Sequence, residues 1–442
     1  MSLITLPPDV LIMIWDNLDT QADRNAFTQI SRQIHTDYNI RLYQRAVYGG
    51  STEVLDWAIK DGSGGTAQRV FEAGLRLSRA AAIMFSWRAA MRGQETILRV
   101  LMDNGGDVTS QFSNQEPLLL AIQTQWKPND KHYIPAVNED SPMVKTDFPG
   151  VIRLLLQHGA DINASNNRTG LTPLMFAAIC NHTKMVDILL ANGATVDLAS
   201  AERRDALWYA VDEGHITLVD RLADAITMQP NKNINQCSPL VVAALHGNVD
   251  IVNLLLAKGA DPNFARKDQY TPAAVAIEHG FANVLEALLE HGLSPDTSIS
   301  RAPGAGRPLL AAAVDRGDDK IVRLLLARGA TVQSQGTNDC NLTSLMFAVR
   351  HGRTDLVQKL LAAGADVQAR LREVETPLYQ ACMNGHLGIV LLLTKHGSDR
   401  SKPLSTQTLL AMITKNRDLD IVRLLMYCGS LRDLRMDEEL AN

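Results

Sequence analysis

The feature that most constrains this chain is a short unit that returns at a near-constant interval. Residues 238–263 show one copy: Ser-Pro-Leu-Val-Val-Ala-Ala-Leu-His-Gly-Asn-Val-Asp-Ile-Val-Asn-Leu-Leu-Leu-Ala-Lys-Gly-Ala-Asp-Pro-Asn. Ser238-Pro239 predicts a helix start, because a hydroxyl can cap free backbone N–H groups and proline suits the first turn. Ala243 and Ala244 are small enough for neighbouring helices to approach closely. Gly247 supplies the left-handed residue that ends a first helix. Ile251, Val252, Leu255 and Leu256 form one apolar stripe on a second helix. Gly259 ends that helix, and Ala260–Asn263 turns the chain outward. Two short helices cannot bury such a stripe by themselves, so the unit needs copies of itself on either side.

The copies are present. The helix-start position recurs at Glu116, Thr172, Asp205, Ser238, Thr271, Pro308, Thr343, Thr376 and Gln407, in steps of 56, 33, 33, 33, 37, 35, 33 and 31 residues. Nine residues after all but the first comes a helix stop: Asn181, Gly214, Gly247, Gly280, Gly317, Gly352, Gly385 and Asn416. Asparagine is the next-best residue for a left-handed conformation, so the two exceptions obey the same rule. After Glu116 the position holds Gln125, and an insertion follows.

A 33-residue period carrying Thr172-Pro173-Leu174, Thr376-Pro377-Leu378, Gly159-Ala160-Asp161, Gly259-Ala260-Asp261 and Gly364-Ala365-Asp366 resembles the ankyrin-repeat family. The resemblance covers about three-quarters of the chain and implies an all-α ankyrin-repeat solenoid of about ten or eleven units. One departure is clear. The family's histidine after Thr-Pro-Leu is replaced by Met175, Trp208, Val241, Ala274, Ala311, Met346 and Tyr379, which is expected to cost each repeat a local hydrogen bond.

Residues 3–41 differ in pattern. Leu6-Pro7-Pro8-Asp9-Val10-Leu11 opens a short amphipathic helix through Leu18, and two more segments follow around Ala26-Phe27 and Ile34–Tyr38. Three such helices bury little area alone and lean on a partner or on the next domain. The stretch resembles an F-box, in the variant common in ankyrin proteins of filamentous fungi. That likeness implies docking to the Skp-type adaptor of a cullin-based ubiquitin ligase through Leu6, Pro7, Val10, Leu11, Ile14 and Leu18, with the three helices capping the solenoid. A cap without adaptor binding is the alternative.

Residues 42–115 read as two divergent units: a first with Val54-Leu55-Asp56-Trp57 as its second-helix stripe, a flexible turn at 61–66, then one helical stretch from Ala67 to Met91 ending at Gly93. The regular repeats occupy 116–400, with an insertion at 126–148 whose Trp126, Tyr133 and Ile134 could anchor it. Residues 401–442 read as a polar capping repeat and tail, and Thr297–Pro308 as a longer finger loop.

At 442 residues one round core would be too large, a limit that a stack of units escapes. The net charge of −5 argues against nucleic acid. No apolar run approaches the ~20 residues that span a membrane, and the N-terminus shows no secretory signal. The five cysteines form no Cys-x-x-Cys pair, which suits reduced thiols in the cytoplasm or nucleus.

The expected partner surface is the concave groove, where the residue pairs before each stop and the finger tips stay exposed. The groove candidates are Asp212 with Glu213, His246, Glu278 with His279, Asp315 with Arg316, and Arg350 with His351, with Trp208 and Tyr379 as aromatic anchors. Basic fingers beside a groove with acids at its middle suggest a protein partner with an acidic edge and cationic groups that enter the groove. His246, His279 and His351 share a column, but repeats ~8–10 Å apart cannot bring three donors to ~2 Å from one point, so no metal is expected. No cofactor or catalytic residue is assigned. Three roles stay open: a ubiquitin-ligase substrate adaptor, an ankyrin scaffold with a decayed F-box, and an enzyme using acidic and histidine residues of the groove, with Glu278 and Asp315, or Asp212 and Glu213, as paired acids.

Overall fold

The structure, a computed structural model, describes residues 52–108, 117–123, 148–225, 238–264, 271–300, 306–333, 342–370 and 375–397. The F-box-like segment with Leu6, Pro7, Val10, Leu11, Ile14 and Leu18, the insertion up to residue 147, and residues 401–442 lie outside the described residues. The chain divides into two compact units, residues 1–226 and 227–442.

In the first unit the helices are α1 (Glu53–Asp61), α2 (Gly64–Glu72), α3 (Arg79–Met91), α4 (Glu95–Asp103), α5 (Pro117–Gln123), α6 (Phe148–Gln157), α7 (Pro173–Ile179), α8 (Thr183–Ala191), α9 (Ala206–Asp212) and α10 (Ile216–Ala225). Odd-numbered helices pack on one another in one layer and even-numbered helices in a second. This corrects the phase read for 42–115. The Val54–Trp57 stretch lies on a first helix, because α1 packs on α3 in the first-helix layer while α2, which follows Gly62 (φ +79), packs on α4 in the second. Gly64-Gly65-Thr66 is the first turn of α2, not a flexible loop. The stretch 67–91 is two helices, separated at 73–78, with Ser78 Oγ accepting from Ala81 N at 3.3 Å to start α3. Apolar spacing on two short helices is alike, so only the turn chemistry fixes which helix comes first.

The second unit holds α11 (Pro239–Leu245), α12 (Val249–Ala257), α13 (Pro272–His279), α14 (Ala282–Glu290), α15 (Leu309–Arg316), α16 (Asp319–Ala327), α17 (Ser344–Arg350), α18 (Thr354–Ala362), α19 (Pro377–Met383) and α20 (Leu387–Lys395). Here also first helices pack on first helices and second on second. The long finger is a hairpin: β1 (Ser298–Ser300) pairs antiparallel with β2 (Gly306–Pro308), Ile299 opposite Arg307.

The sequence-derived starts are the N-caps. Thr172, Asp205, Thr271, Thr343 and Thr376 each accept from the backbone N–H three residues on, at 2.7–3.4 Å. Pro308 has no side-chain group that could cap, and Ser238 has one that does not. At φ −59 its hydroxyl makes no cap bond, and its buried Oγ has no partner among the described residues. At Thr172 the bond lost with the family's histidine is partly replaced, since Met175 Sδ accepts from Thr172 N at 3.5 Å. The stops from Asn181 to Gly385 all lie at φ between +56 and +80. Asn181 carries that conformation without glycine, which only short polar side chains do readily.

The predicted stripe Ile251, Val252, Leu255 and Leu256 is at most 6 % exposed, and Ala243 and Ala244 are fully buried. Burying each large side chain stabilises the stack by about 1.5–3 kcal/mol. At three seams the residue after the stop reaches back to the preceding repeat through a hydrogen bond. Gln94 Nε2 donates to Ile59 O at 2.6 Å, His215 Nε2 lies 3.1 Å from Ile179 O, and Arg353 donates to Gly317 O and Arg316 O at 3.3 and 3.2 Å. Arg353 sits so close over Gly317 that a Cβ there would collide with its guanidinium.

Candidate functional site

Two clusters of charged and aromatic side chains stand where a finger meets the end of a first helix, one in each unit.

In the first unit, the finger 200–204 is closed by Ser200 N donating to Arg204 O (2.9 Å) and Arg203 N to Ser200 O (2.8 Å), with Arg203 at φ +62. Arg204 lays its guanidinium 4.0 Å from the centre of the Trp208 ring and pairs with Glu202 at 2.7 Å. Trp208 meets Tyr209 edge-on, centroids 5.3 Å apart, and Tyr209 Oη lies 3.3 Å from Ser200 Oγ. Burial pushes the Tyr209 phenol above its ordinary pKa, against the opposing pull of Ser200 and Arg204. Trp208 is only 5 % exposed, which corrects its assignment as a groove anchor: a side chain sealed beneath Arg204 cannot greet a partner. Tyr379 is half-buried, and Asp212 and Glu213 are partly exposed at the end of α9.

In the second unit, Asp315 at the end of α15 joins a finger to the next repeat. Its Oδ2 accepts from Arg307 on β2 at 2.6 Å, and its Oδ1 lies 2.8 Å from His351 Nε2 at the end of α17. Arg307 also stands 5.0 Å above the Phe347 ring. Partial burial is the largest single influence on the Asp315 carboxyl and raises its pKa. The hydrogen bonds and charges of His351 and Arg307 together outweigh it and hold the group below the usual carboxylate range. A carboxyl held as an anion and already engaged by Arg307 and His351 is not poised to donate a proton. Arg316, Arg350, His246 and His279 are exposed, with His279 stacked on Phe281 at 5.6 Å. Among the described residues no three of His, Cys, Asp and Glu converge as metal ligands.

Sequence reasoning named Asp315 and His351 separately and placed Arg307 on a finger, but it did not join them. The signal was there: 315 and 351 are 36 residues apart, one repeat step plus one, which sets them side by side across a seam. A cleft of about 920 Å³ between the starts of α16 and α18, bordered by Gly317, Gly352 and Arg353, was also missed. At its wall Asp319 pairs with Lys359 and, at 2.5 Å, with Arg323.

The family described as ankyrin repeats (3 copies) matches residues 143–234, 207–299, 240–336, 298–371 and 345–434, together more than half of the chain. The chain belongs to the ankyrin-repeat family. Ankyrin repeats form protein–protein interaction domains, and the two clusters sit on the elements that such repeats expose. Among relatives, the ankyrin repeat and KH domain-containing protein mask-1 of Caenorhabditis elegans is 27% identical over 339 residues, 73% of this chain and 11% of that protein. The mouse B-cell lymphoma 3 protein homolog is 29% identical over 240 residues, 52% of this chain and 53% of that protein. The chain thus spans about a tenth and about half of the lengths of these two relatives. The crystal structure of the ankyrin repeat domain of Bcl-3 matches with a TM-score of 0.42 at 28% identity, covering 49% of this chain and 97% of that one. No helix among the described residues is long and apolar enough to cross a membrane.

Proposed function

We propose that the chain is a substrate-recognition adaptor of a cullin-type ubiquitin ligase. The ankyrin units hold a protein target, and residues 3–41 dock to a Skp-type adaptor. The observation that carries the second half is the run Leu6-Pro-Pro-Asp-Val-Leu11 with Ile14 and Leu18, an apolar sequence pattern at helical spacing that precedes the ankyrin repeats in the chain. A receptor of this kind acts in the cytoplasm or nucleus. Capture of a Skp-type adaptor by the full chain tests it. Wild type retains the adaptor, and Leu11→Asp with Ile14→Asp reduces retention at least about tenfold, since a carboxylate buried in an apolar contact costs more than the ~1.4 kcal/mol that tenfold represents. Wild type that captures no adaptor overturns the ligase role. It leaves the second reading, an ankyrin scaffold whose first 41 residues only cap the stack.

A further inference from the structure

The second helices share one polar place that the last described repeat abandons. Six residues after the stop, the earlier repeats carry Asp187, Asp220, Asn253, Glu286, Arg323 and Gln358, all exposed but the half-buried Asp220. In α20 the same place holds Leu391, 48 % exposed. One turn earlier α20 has an exposed Gly388 where α18 has Asp355, and Leu387 and Leu392 beside them are half-exposed. The other side of α20, Ile389, Val390 and Leu393, is buried in the stack. Thr394, the one hydroxyl of α20, is buried too and has Val390 O and Leu391 O as acceptors, each at 2.9 Å. From Leu387 to Leu393 the helix is therefore apolar all round, a pattern that belongs to a helix covered on every side. A further repeat of this chain does not supply that cover. Asn253, Glu286 and Gln358 stay exposed although the next second helix packs beside each.

We infer that a second copy of this chain covers the face, α20 lying antiparallel on α20 about a two-fold axis between residues 389 and 390. In that register Leu391 of each copy sits over Gly388 of the other, and Leu387 meets Leu392. Such an exchange of residues is what a two-fold contact requires. The hollow for the leucine is present. A Cβ at Gly388 would meet only Thr354 Oγ1, at 3.9 Å, so the backbone there is open to a close approach. The charges fit the same register. Lys395 is exposed at the end of α20, and antiparallel packing sets the two copies of it eleven residues apart along the pair. That is about 16 Å, beyond the ~10 Å over which exposed charges are felt in 0.1 M salt. A parallel pair would set Lys395 against Lys395 and glycine against glycine. One helix face makes a small interface, so the dimer is expected to form at micromolar concentrations. The inference does not rest on the ligase reading.

Sedimentation velocity of the full chain from about 1 to 100 µM tests it. Wild type passes from monomer to dimer across that range. Leu391→Glu, which removes the knob, and Gly388→Lys, which fills the hollow, each weaken the dimer at least about tenfold. Gln358→Ala, at the same place on α18, leaves it unchanged. The register is read by mixing the two weakened variants. Together they regain a dimer, because one contact is then wild type and the other sets a carboxylate against an ammonium. Circular dichroism confirms that the variants fold. Wild type that stays monomeric at 100 µM overturns the inference, as does a dimer that neither variant weakens. A mixture that regains nothing overturns the antiparallel register and the inference with it. Monomeric wild type whose thermal midpoint falls on Leu391→Glu would show that the chain's own residues cover α20, which also overturns it.

Discussion

The two fingers use the same pieces to different ends. Each lays an arginine on an aromatic ring: Arg204 over Trp208 at 4.0 Å, and Arg307 over Phe347 at 5.0 Å. In the first unit the side-chain contacts of the cluster all lie between residues 200 and 209, and the finger meets the preceding one only through backbone, Ala201 N donating to Thr169 O at 3.0 Å. In the second unit Arg307 reaches a carboxylate on α15 and a ring on α17, and Asp315 meets His351 on the same α17. That finger ties two repeats together. One loop position can therefore serve either as local packing or as a strut across a seam. The choice depends on whether the arginine's counter-charge lies inside the loop or on a helix.

The contrast is most sharply broken at Trp208. Trp208→Ala empties a buried site beneath Arg204 and is expected to cost about 3–5 kcal/mol, measured as a lower urea midpoint. A loss under about 1 kcal/mol would mean that the ring is dispensable and that the first cluster is surface decoration.

Asp315→Asn is the corresponding cut in the second unit. The pair is partly exposed, so the expected loss is only about 1 kcal/mol. The pH dependence identifies its origin. The folded carboxyl titrates below its unfolded value of about 3.9, so its stabilisation is complete above that value and fades as pH falls through the folded pKa. The difference between wild type and Asp315→Asn in thermal midpoint is expected to shrink below about pH 4. A difference that stays constant with pH would show that charge is not what binds the finger.

The smallest effect is expected at the arginines themselves. Arg204→Gln removes a cation from the Trp208 face at a cost of about 0.5–1 kcal/mol. Hydrogen exchange is expected to rise only around residues 200–209 for this variant. For Arg307→Gln it is expected to rise both at the hairpin and at the end of α17. Identical, purely local patterns would erase the distinction between the two fingers.

These outcomes also explain what the sequence could and could not disclose. The N-caps from Thr172 to Thr376 and the stops from Asn181 to Gly385 were legible because each depends on one residue's local conformation. Five of the seven starts make the predicted side-chain bond; Pro308 has no group to make it, and Ser238, whose ψ of 133 departs from the 155–179 of the five, does not. The order of α1 and α2 was misread because their apolar spacing fits either helix, and only the packing of α1 on α3 and the Gln94–Ile59 seam decide it. Trp208 looked like an anchor because position alone cannot say which side of a first helix a loop will cover. The Arg307–Asp315–His351 cluster escaped because its members become neighbours only when repeats are placed side by side.

The constant distance between each cap and its stop has one more implication. Where the interval from one cap to the next grows to 37 or 35 residues, between Thr271 and Pro308 and between Pro308 and Thr343, the nine residues from cap to stop are unchanged. The surplus falls outside that interval, and in the first of the two cases it includes the β1–β2 hairpin. Length is thus a free variable in the loops and a fixed one in the helical rungs. An ancestor could rewrite what such a molecule grips, loop by loop, without renegotiating the scaffold that holds the loops in place.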